Sequence, residues 1–226
     1  MRIGVFGTGM VGQALAGRLA ELGHDVMIGT RDVPAALARS QPDRYGNPGF
    51  GPWHAQHPKV KVGTLLETGA HGELLINATS GGASLEVLRL AGAGALAGRV
   101  LIDVANLLDF SRGMLPSLSV CNTDSLGEQI QRTFPALKVV KALNTTNASV
   151  MANPAAVGGG DHTLFVCGND AAAKARVTEL VRSFGWRDVV DVGDITAARG
   201  TEMLLPIWLR LLGTFKTPLF NFKVVR

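Results

Sequence analysis

The feature that most constrains this chain is a glycine-rich turn close to its first residue. Gly7, Gly9 and Gly12 follow a short apolar run at residues 2–7 and open a segment whose apolar residues recur at helical spacing. A second apolar run, residues 25–30, comes next. About 30 residues therefore have the pattern strand, turn, helix and strand, which predicts a parallel βαβ unit.

The three glycines have separate roles in a unit of this kind. Gly7 allows a tight turn, Gly9 lets a pyrophosphate approach the backbone, and Gly12 permits close packing of the helix. The N-terminus of the helix presents free N–H groups and a partial positive charge to the phosphates. We therefore predict a dinucleotide site, the alternative being a turn whose glycines serve packing only. The residues of this turn are Gly7, Thr8, Gly9, Met10, Val11 and Gly12.

The rest of the chain continues the alternation of strands and helices. Short, nearly continuous apolar runs are separated by segments of helical composition, which favours an α/β fold with a doubly wound, mostly parallel Rossmann sheet. Two later runs flank a predicted helix at residues 170–185 and are expected to extend the same sheet. The predicted strands after the first unit lie near residues 60–63 and within 73–80, 100–106, 138–144, 162–168 and 188–194.

Two stretches depart from this pattern. Residues 45–58 are rich in glycine, proline and aromatic residues and predict a long surface loop packed by Phe50 and Trp53, with a lid over the site as the alternative. Residues 203–213 are strongly apolar but too short to span a bilayer, which predicts a core-facing helix. Pro206 is expected to bend or divide that helix.

The end of the second strand indicates which dinucleotide is bound. A site that prefers NAD carries Asp or Glu there to accept hydrogen bonds from the ribose hydroxyls. This chain instead has Thr30, whose hydroxyl can donate, and Arg31, whose guanidinium matches a phosphate. The pattern predicts NADP(H) rather than NAD. Asp32 could be a helix N-cap, an ion partner of Arg31 or a ribose ligand, and Pro34 in the first helical turn favours the N-cap.

Small or neutral polar residues follow the fourth, fifth and sixth predicted strands. Small side chains let a flat ring approach the backbone, and amides can hydrogen-bond a carboxamide, so these strand ends predict a nicotinamide site. Ordinary loop capping explains any one of them equally well. The residues are Ala78, Thr79, Ser80, Asn106 and Asn144.

Composition excludes several other functions. The net charge is only +4, and no block of five basic residues occurs, so we expect no nucleic-acid partner. Cys121 and Cys167 lack the CxxC spacing and are expected to be free thiols, with no metal site. We expect a cytoplasmic protein with no signal peptide and no membrane partner.

No acid–base constellation stands out in the sequence. There is no GxSxG motif and no Walker loop, and none of the five histidines follows a predicted strand. Dehydrogenases of alcohols or hydroxy acids usually need a positioned acid or base. This favours a reaction in which both reactants already carry the hydride chemistry.

Several segments together resemble the NADPH-dependent oxidoreductases related to F420:NADP reductase, where F420 is a deazaflavin coenzyme. The resemblance covers nearly the whole chain. The segments are GTGMVGQALA, GTR at the second strand, VVKALNTTNASVMANP, ARGTEMLLPIWLRLLG and FNFKVVR.

The resemblance implies hydride transfer between a nicotinamide and a deazaflavin-like or flavin ring, a small-molecule redox acceptor. It implies that Thr8, Gly9, Met10 and Val11 bind the pyrophosphate and that Thr30 and Arg31 bind the 2′-phosphate. We divide the chain into an NADP-binding Rossmann domain, residues 1–147, and a C-terminal extension, residues 148–226. The extension is expected to supply strands to the sheet and, around Met203–Leu212, an apolar wall for the acceptor.

Two other functions stay open at this stage. Reductases of small imines or hydroxy acids share the N-terminal unit, but they usually add a large helical domain, for which few residues remain here. A non-catalytic NADP-sensing protein is the second alternative. The sequence does not determine the oligomeric state, and a homodimer is compatible with it.

Overall fold

The computed structural model describes residues 1–43, 46–113 and 115–226. The strands are β1 (Arg2–Phe6), β2 (Asp25–Thr30), β3 (Lys61–Thr64), β4 (Leu74–Asn77), β5 (Val100–Asp103), β6 (Leu108–Asp109), β7 (Ser117–Leu118), β8 (Lys138–Ala142), β9 (Thr163–Gly168) and β10 (Asp188–Asp191). The helices are α1 (Met10–Glu21), α2 (Val33–Ala38), α3 (Phe50–Gln56), α4 (Leu65–His71), α5 (Ser84–Ala91), α6 (Ala93–Leu96), α7 (Leu126–Thr133), α8 (Ala148–Ala152), α9 (Ala171–Ser183), α10 (Ala198–Met203) and α11 (Leu205–Phe215).

Eight of the strands form one sheet in the order β10-β9-β8-β5-β4-β1-β2-β3. All neighbours are parallel except β8 and β9, which are antiparallel. The chain builds outward from β1 through β2 to β3 and then returns to the other side of β1 with β4. Ligands of open α/β sheets bind outside the carboxyl ends of the strands at such a reversal. The predicted doubly wound, mostly parallel Rossmann sheet is confirmed.

Helices cover both faces of the sheet, and this explains why its central strands are continuously apolar. Leu74 and Ile76 of β4 pack into one apolar layer with α1 and α9, whereas Leu75 packs into the opposite layer with α5 and α7. Side chains alternate between the faces of a strand, so a strand covered by helices on both sides needs apolar residues at every position. The strands β9 and β10, from residues 148–226, belong to the same sheet.

The interpretation of residues 45–58 as a long loop is wrong for half of the segment. Residues 50–56 form helix α3, in which Phe50 and Trp53 are buried and stack at 5.7 Å between ring centroids. The glycines and Pro52 misled the prediction, because Pro52 lies in the first helical turn, where no backbone donor is lost. Tyr45, at the start of the predicted loop, lies outside the described residues.

The prediction for residues 203–213 is confirmed in one respect and wrong in another. The helix is divided near Pro206, with α10 ending at Met203 and α11 beginning at Leu205. Only Leu205 and Trp208 of α11 are buried, and Ile207 is 48% exposed, so most of this helix does not face the core. Apolar residues occur on all sides of α11, but the rest of the chain buries only one side of this helix. No helix in the described part of the chain is long and apolar enough to cross a membrane.

Candidate cofactor site

The glycine turn between β1 and α1 has the geometry that a dinucleotide requires. Gly7 has a φ of +116°, and a Cβ there would lie 2.5 Å from the carbonyl oxygen of Ala78. A Cβ on Gly12 would lie 1.9 Å from the carbonyl oxygen of Gly7. A Cβ on Gly9, by contrast, would have no heavy atom within 4 Å. Two glycines are therefore required by the fold, whereas Gly9 leaves open space above the backbone.

The N-terminus of α1 faces that open space. The first intrahelical bond runs from Gln13 N to Gly9 O at 2.9 Å, so the N–H groups of Met10, Val11 and Gly12 have no intrahelical acceptor. Free N–H groups and the helix dipole favour an anion at this point. The cradle that Gly9 leaves open and these donors fit the diphosphate of a dinucleotide.

The end of β2 lies beside the turn, because Gly7 N donates to Gly29 O at 3.2 Å. Thr30 is half-buried and its hydroxyl makes only a long contact, 3.4 Å, to Asp32 O. Arg31 is exposed and forms no hydrogen bond or ion pair with any described residue. The Asp32 carboxylate accepts from Ala35 N at 2.9 Å, which confirms its role as the N-cap of α2. Thr30 and Arg31 are therefore free to bind a phosphate.

The segment after α2 folds back onto the glycine turn. Arg39 donates through Nη2 to Thr8 O at 2.8 Å and to Thr8 Oγ1 at 3.0 Å. Asn47 Nδ2 lies 3.2 Å from Met10 Sδ. The sequence offered no signal for these contacts, because the partners are 31 and 37 residues apart.

The strand ends on the other side of β1 hold their side chains in a connected network. The Thr79 hydroxyl donates to Asn77 Oδ1 at 2.7 Å, and Asn77 Nδ2 donates to Asp103 Oδ1 at 2.8 Å and to Ser84 Oγ at 2.9 Å. Thr79 and its neighbour Ala78 are half-buried, and Ser80 is exposed. Thr79 is thus oriented by buried partners while it borders the open edge of the sheet.

Asn106 and Asn144 are brought together by the fold. Asn106 Nδ2 donates to Asn144 O at 2.9 Å, and Asn144 Nδ2 donates to Asn106 Oδ1 at 3.1 Å and to Thr201 O at 3.1 Å. Asn144 is only 2% exposed, whereas Asn106 is half-buried. Direct contact of either amide with a cofactor stays a prediction. The geometry places Asn106 at the edge and Asn144 behind it as its support.

A buried charge cluster beneath these strand ends escaped the sequence analysis. Lys141 Nζ lies 2.8 Å from Asp103 Oδ2 and 2.8 Å from Glu202 Oε1, and it also donates to Ala105 O. Lys141 and Asp103 have no exposed side-chain surface. Buried charges must be paired and hydrogen-bonded to be tolerated. A signal was present for Asp103, the single charged residue of β5, but not for Lys141, because β8 also carries Lys138.

The cluster joins the C-terminal segment to the sheet. Glu202, on α10, also accepts from Leu126 N at 3.0 Å and Gly127 N at 3.1 Å, at the N-terminus of α7. Burial by itself would lower the pKa of Lys141, but the charges and hydrogen bonds of Asp103 and Glu202 outweigh it, and the pKa is raised. Lys141 is therefore a permanent cation that holds β5, β8 and α10 together.

The fold and the site define a Rossmann-type protein whose glycine turn fits a dinucleotide. Residues 2–107 match the family described as NADP oxidoreductase, coenzyme F420-dependent. A crystal structure from Arthrobacter sp. FB24, provisionally described as an F420-dependent NADP-reductase, is 56% identical over 100% of both chains, with a TM-score of 0.96. The chain belongs to this family of NADP-dependent oxidoreductases.

Two further similarities are more distant. The metalloreductase STEAP3 of Rattus norvegicus is 30% identical over 96% of this chain, which spans 38% of that relative's length. A reductive aminase of Aspergillus terreus, crystallised with NADPH and ethyl-5-oxohexanoate, is 19% identical with a TM-score of 0.61, over 95% of this chain and 62% of its own. The second similarity concerns the fold alone.

Proposed function

We propose that this chain is an NADP(H)-dependent oxidoreductase that transfers a hydride between the nicotinamide and a deazaflavin or related ring acceptor. The observation that carries the proposal is an apolar cavity of about 490 Å³ between residues 115–121 and residues 203–210. A cavity of this size lies within the range of roughly 300–1,000 Å³ that is common for small-molecule sites.

The strand order indicates which end of the proposed cofactor would lie on each side of β1. The phosphates would lie on the turn at Gly9, with the adenosine ribose towards Thr30 and Arg31 on β2. The nicotinamide would then extend to the other side of β1, towards Thr79 and Asn106 on the β4 and β5 side. This places the two ends of the cofactor on opposite sides of the topological reversal.

The cavity lies between the β6–β7 hairpin and the start of α11. Its walls continue from the proposed nicotinamide side, because the hairpin begins two residues after Asn106, and Met203 lies two residues after Thr201, which accepts from Asn144. The lining is mainly apolar and includes Leu118, Cys121, Met203, Pro206, Leu209 and Arg210. A planar ring could stack there, and Arg210 could pair with an anionic substituent.

The nicotinamide, when bound, supplies the hydride, so the chain itself needs to align the reactants and exclude water. Its residues suit that task. The turn and Arg31 fix one end of the cofactor, and the network through Asn77 and Asp103 orients Thr79 at the other. Asp103 and Lys141, which connect to this end through Asn77, are paired and buried rather than exposed for proton transfer.

The known relatives support this choice. The Arthrobacter structure is provisionally described as an F420-dependent NADP-reductase, and STEAP3 is named a metalloreductase. We extend the NADP dependence to this chain and propose a small-molecule acceptor rather than a macromolecule. A cytoplasmic location and a homodimeric state are compatible with this proposal.

An acceptor screen tests the proposal. NADPH oxidation would be followed at 340 nm with 8-hydroxy-5-deazaflavin, FMN, a quinone, ferric citrate, a cyclic imine and a 2-keto acid. We expect turnover with the deazaflavin or the flavin. Fast turnover of the imine or keto acid alone would assign the chain to the other reductases, and tight NADPH binding without any turnover would favour an NADP sensor.

A pair of variants on α11 tests the cavity itself. Leu209→Trp fills the cavity and is expected to raise KM for the ring acceptor at least tenfold while leaving NADPH affinity unchanged, since about 1.4 kcal/mol of lost binding is a factor of ten. Ile207→Trp, two residues earlier on an exposed face that does not line the cavity, is the matched control. Equal effects of the two variants would remove the cavity from the proposal.

A further inference from the structure

We infer that Arg39 is a second ligand of the 2′-phosphate of NADP(H) and thus a specificity-determining residue. The inference rests on the proposed function, because it assumes that NADP(H) lies on the glycine turn with its ribose towards β2. Arg39 belongs to neither the glycine turn nor β2. Its guanidinium would reach the 2′-phosphate from the end of α2.

The position of Arg39 is fixed from both sides. Its guanidinium donates to Thr8 O and Thr8 Oγ1 inside the glycine turn, at 2.8 and 3.0 Å. On the other side, its Cζ lies 5.9 Å from the ring centroid of Phe50, which is completely buried. Arg39 O accepts from Gly51 N at 3.1 Å, which ties the backbone to α3. Although Arg39 is exposed, these contacts hold its charge at the turn.

The topology assigns this charge to the 2′-phosphate. Arg39 follows α2, and α2 begins three residues after the end of β2, so the guanidinium that contacts Thr8 comes from the segment directly after β2. The ribose of the adenosine lies towards the end of the second strand in such folds, and the nicotinamide lies away from it. Thr30, Arg31 and Arg39 thus surround the same region, where a 2′-phosphate carries up to two negative charges.

The guanidinium keeps donors for a ligand. Both contacts to Thr8 use Nη2, and Nε and Nη1 make no hydrogen bond within residues 1–43, 46–113 and 115–226. A guanidinium pairs best with phosphate through two parallel N–H donors. Nε and Nη1 do not form such a parallel pair, because Nη1 lies on the Cδ side of the guanidinium, but each can donate singly to a phosphate oxygen while Nη2 anchors the side chain to Thr8.

Calorimetric titration of the full-length chain with NADP+ and NAD+ tests the inference, because the two ligands differ only in the 2′-phosphate. We expect Arg39→Met to weaken NADP+ about 10- to 100-fold, the range for a lost hydrogen bond to a charged group. NAD+ affinity should stay within about twofold. Equal weakening of both ligands, or no weakening of either, overturns the inference.

Two further variants control the experiment. Arg89→Met removes an exposed positive charge at the end of α5 and should leave the affinities for both ligands unchanged. Arg39→Lys keeps the charge without the fork, and it replaces Arg39→Met if the latter does not fold. We expect an intermediate, NADP+-selective loss for Arg39→Lys, and a loss shared by NAD+ overturns the inference here too.

Arg31→Met in the same titration separates this inference from the proposed function. If Arg31→Met weakens NADP+ selectively and Arg39→Met does not, the proposed site stands and the role of Arg39 falls. If the wild-type chain binds neither ligand, the proposed function falls first.

The ³¹P resonance of the bound 2′-phosphate gives a readout that does not depend on activity. Two adjacent positive charges favour the dianion, so the pKa of the bound 2′-phosphate should be lower in the wild-type complex than in the Arg39→Met complex. An identical titration midpoint in the wild type and Arg39→Met overturns the inference.

Discussion

Within the glycine turn, the residues that the fold needs differ from the residue that the ligand needs. A side chain on Gly12 would collide with Gly7 O, whereas a side chain on Gly9 would point into open space. Their spacing is visible in the sequence, but only the structure separates the two roles.

Substitution of the two glycines should therefore have opposite consequences. Gly9→Val is expected to leave the melting temperature nearly unchanged and to weaken NADPH and NADH alike by more than about 1.4 kcal/mol, a factor of ten. Gly12→Ala should lower the free energy of unfolding by about 1–3 kcal/mol through overpacking. Thermal melts and calorimetry of both variants provide the check, and a stable Gly12→Ala with normal affinity would contradict the assignment.

The two cysteines should differ sharply in reactivity. Burial raises the pKa of Cys167 to about 12, and its side chain lies within β9, whereas Cys121 is exposed beside the apolar cavity. A disulfide reagent at pH 8 is expected to label one thiol in the native chain and the second only after denaturation. Rapid labelling of both thiols in the native chain would show that Cys167 on β9 is accessible to the reagent, which contradicts its burial.

Among the elements, the cluster around Lys141 links the candidate site to the core of the sheet. It connects β5, β8 and α10, and through Asp103 it reaches Asn77 and Thr79. Removal of the cation would leave two carboxylates facing each other without solvent, which is far more costly than the loss of a surface ion pair.

Lys141→Met is expected to lower the free energy of unfolding by about 3–5 kcal/mol. Carboxyl groups that are buried side by side without a counter-ion favour their neutral form, because burial and like charge both disfavour ionisation, and low pH supplies the protons. The variant should therefore be less destabilised at pH 5 than at pH 8.

Urea unfolding at the two pH values measures this difference. Lys138→Met is the matched control, because Lys138 lies on the same strand but pairs with Asp170 at the surface. It should cost less than about 1 kcal/mol at either pH. A similar loss for both lysine variants would contradict the special role of the buried cluster.

The elements also show which local predictions the sequence permits. The strands were predictable because the apolar runs are continuous, and the N-cap of α2 because Asp32 and Pro34 are adjacent signals. Helix α3 was missed because its first turn carries Gly51 and Pro52, which resemble a loop when tertiary packing of Phe50 and Trp53 is not known. Local sequence signals predict an element correctly only where tertiary packing does not override them.

Across the whole molecule, the sheet and the family were accessible from sequence, whereas the contacts that complete the site were not. Glu202 meets Leu126 across 76 residues, and Arg39 meets Thr8 across 31. Such pairs follow from the order of the strands and from which helices cover each face. No periodicity along the chain encodes them.

The central claim is that the glycine turn and the end of β2 together bind a dinucleotide through its 2′-phosphate. Calorimetry of the wild-type chain and Arg31→Ala, each with NADPH and NADH, tests it most directly. We expect that NADPH binds more tightly than NADH to the wild type and that Arg31→Ala weakens NADPH by about 2–3 kcal/mol while NADH changes little. Equal losses for both cofactors, or no association of either with the wild type, would contradict it.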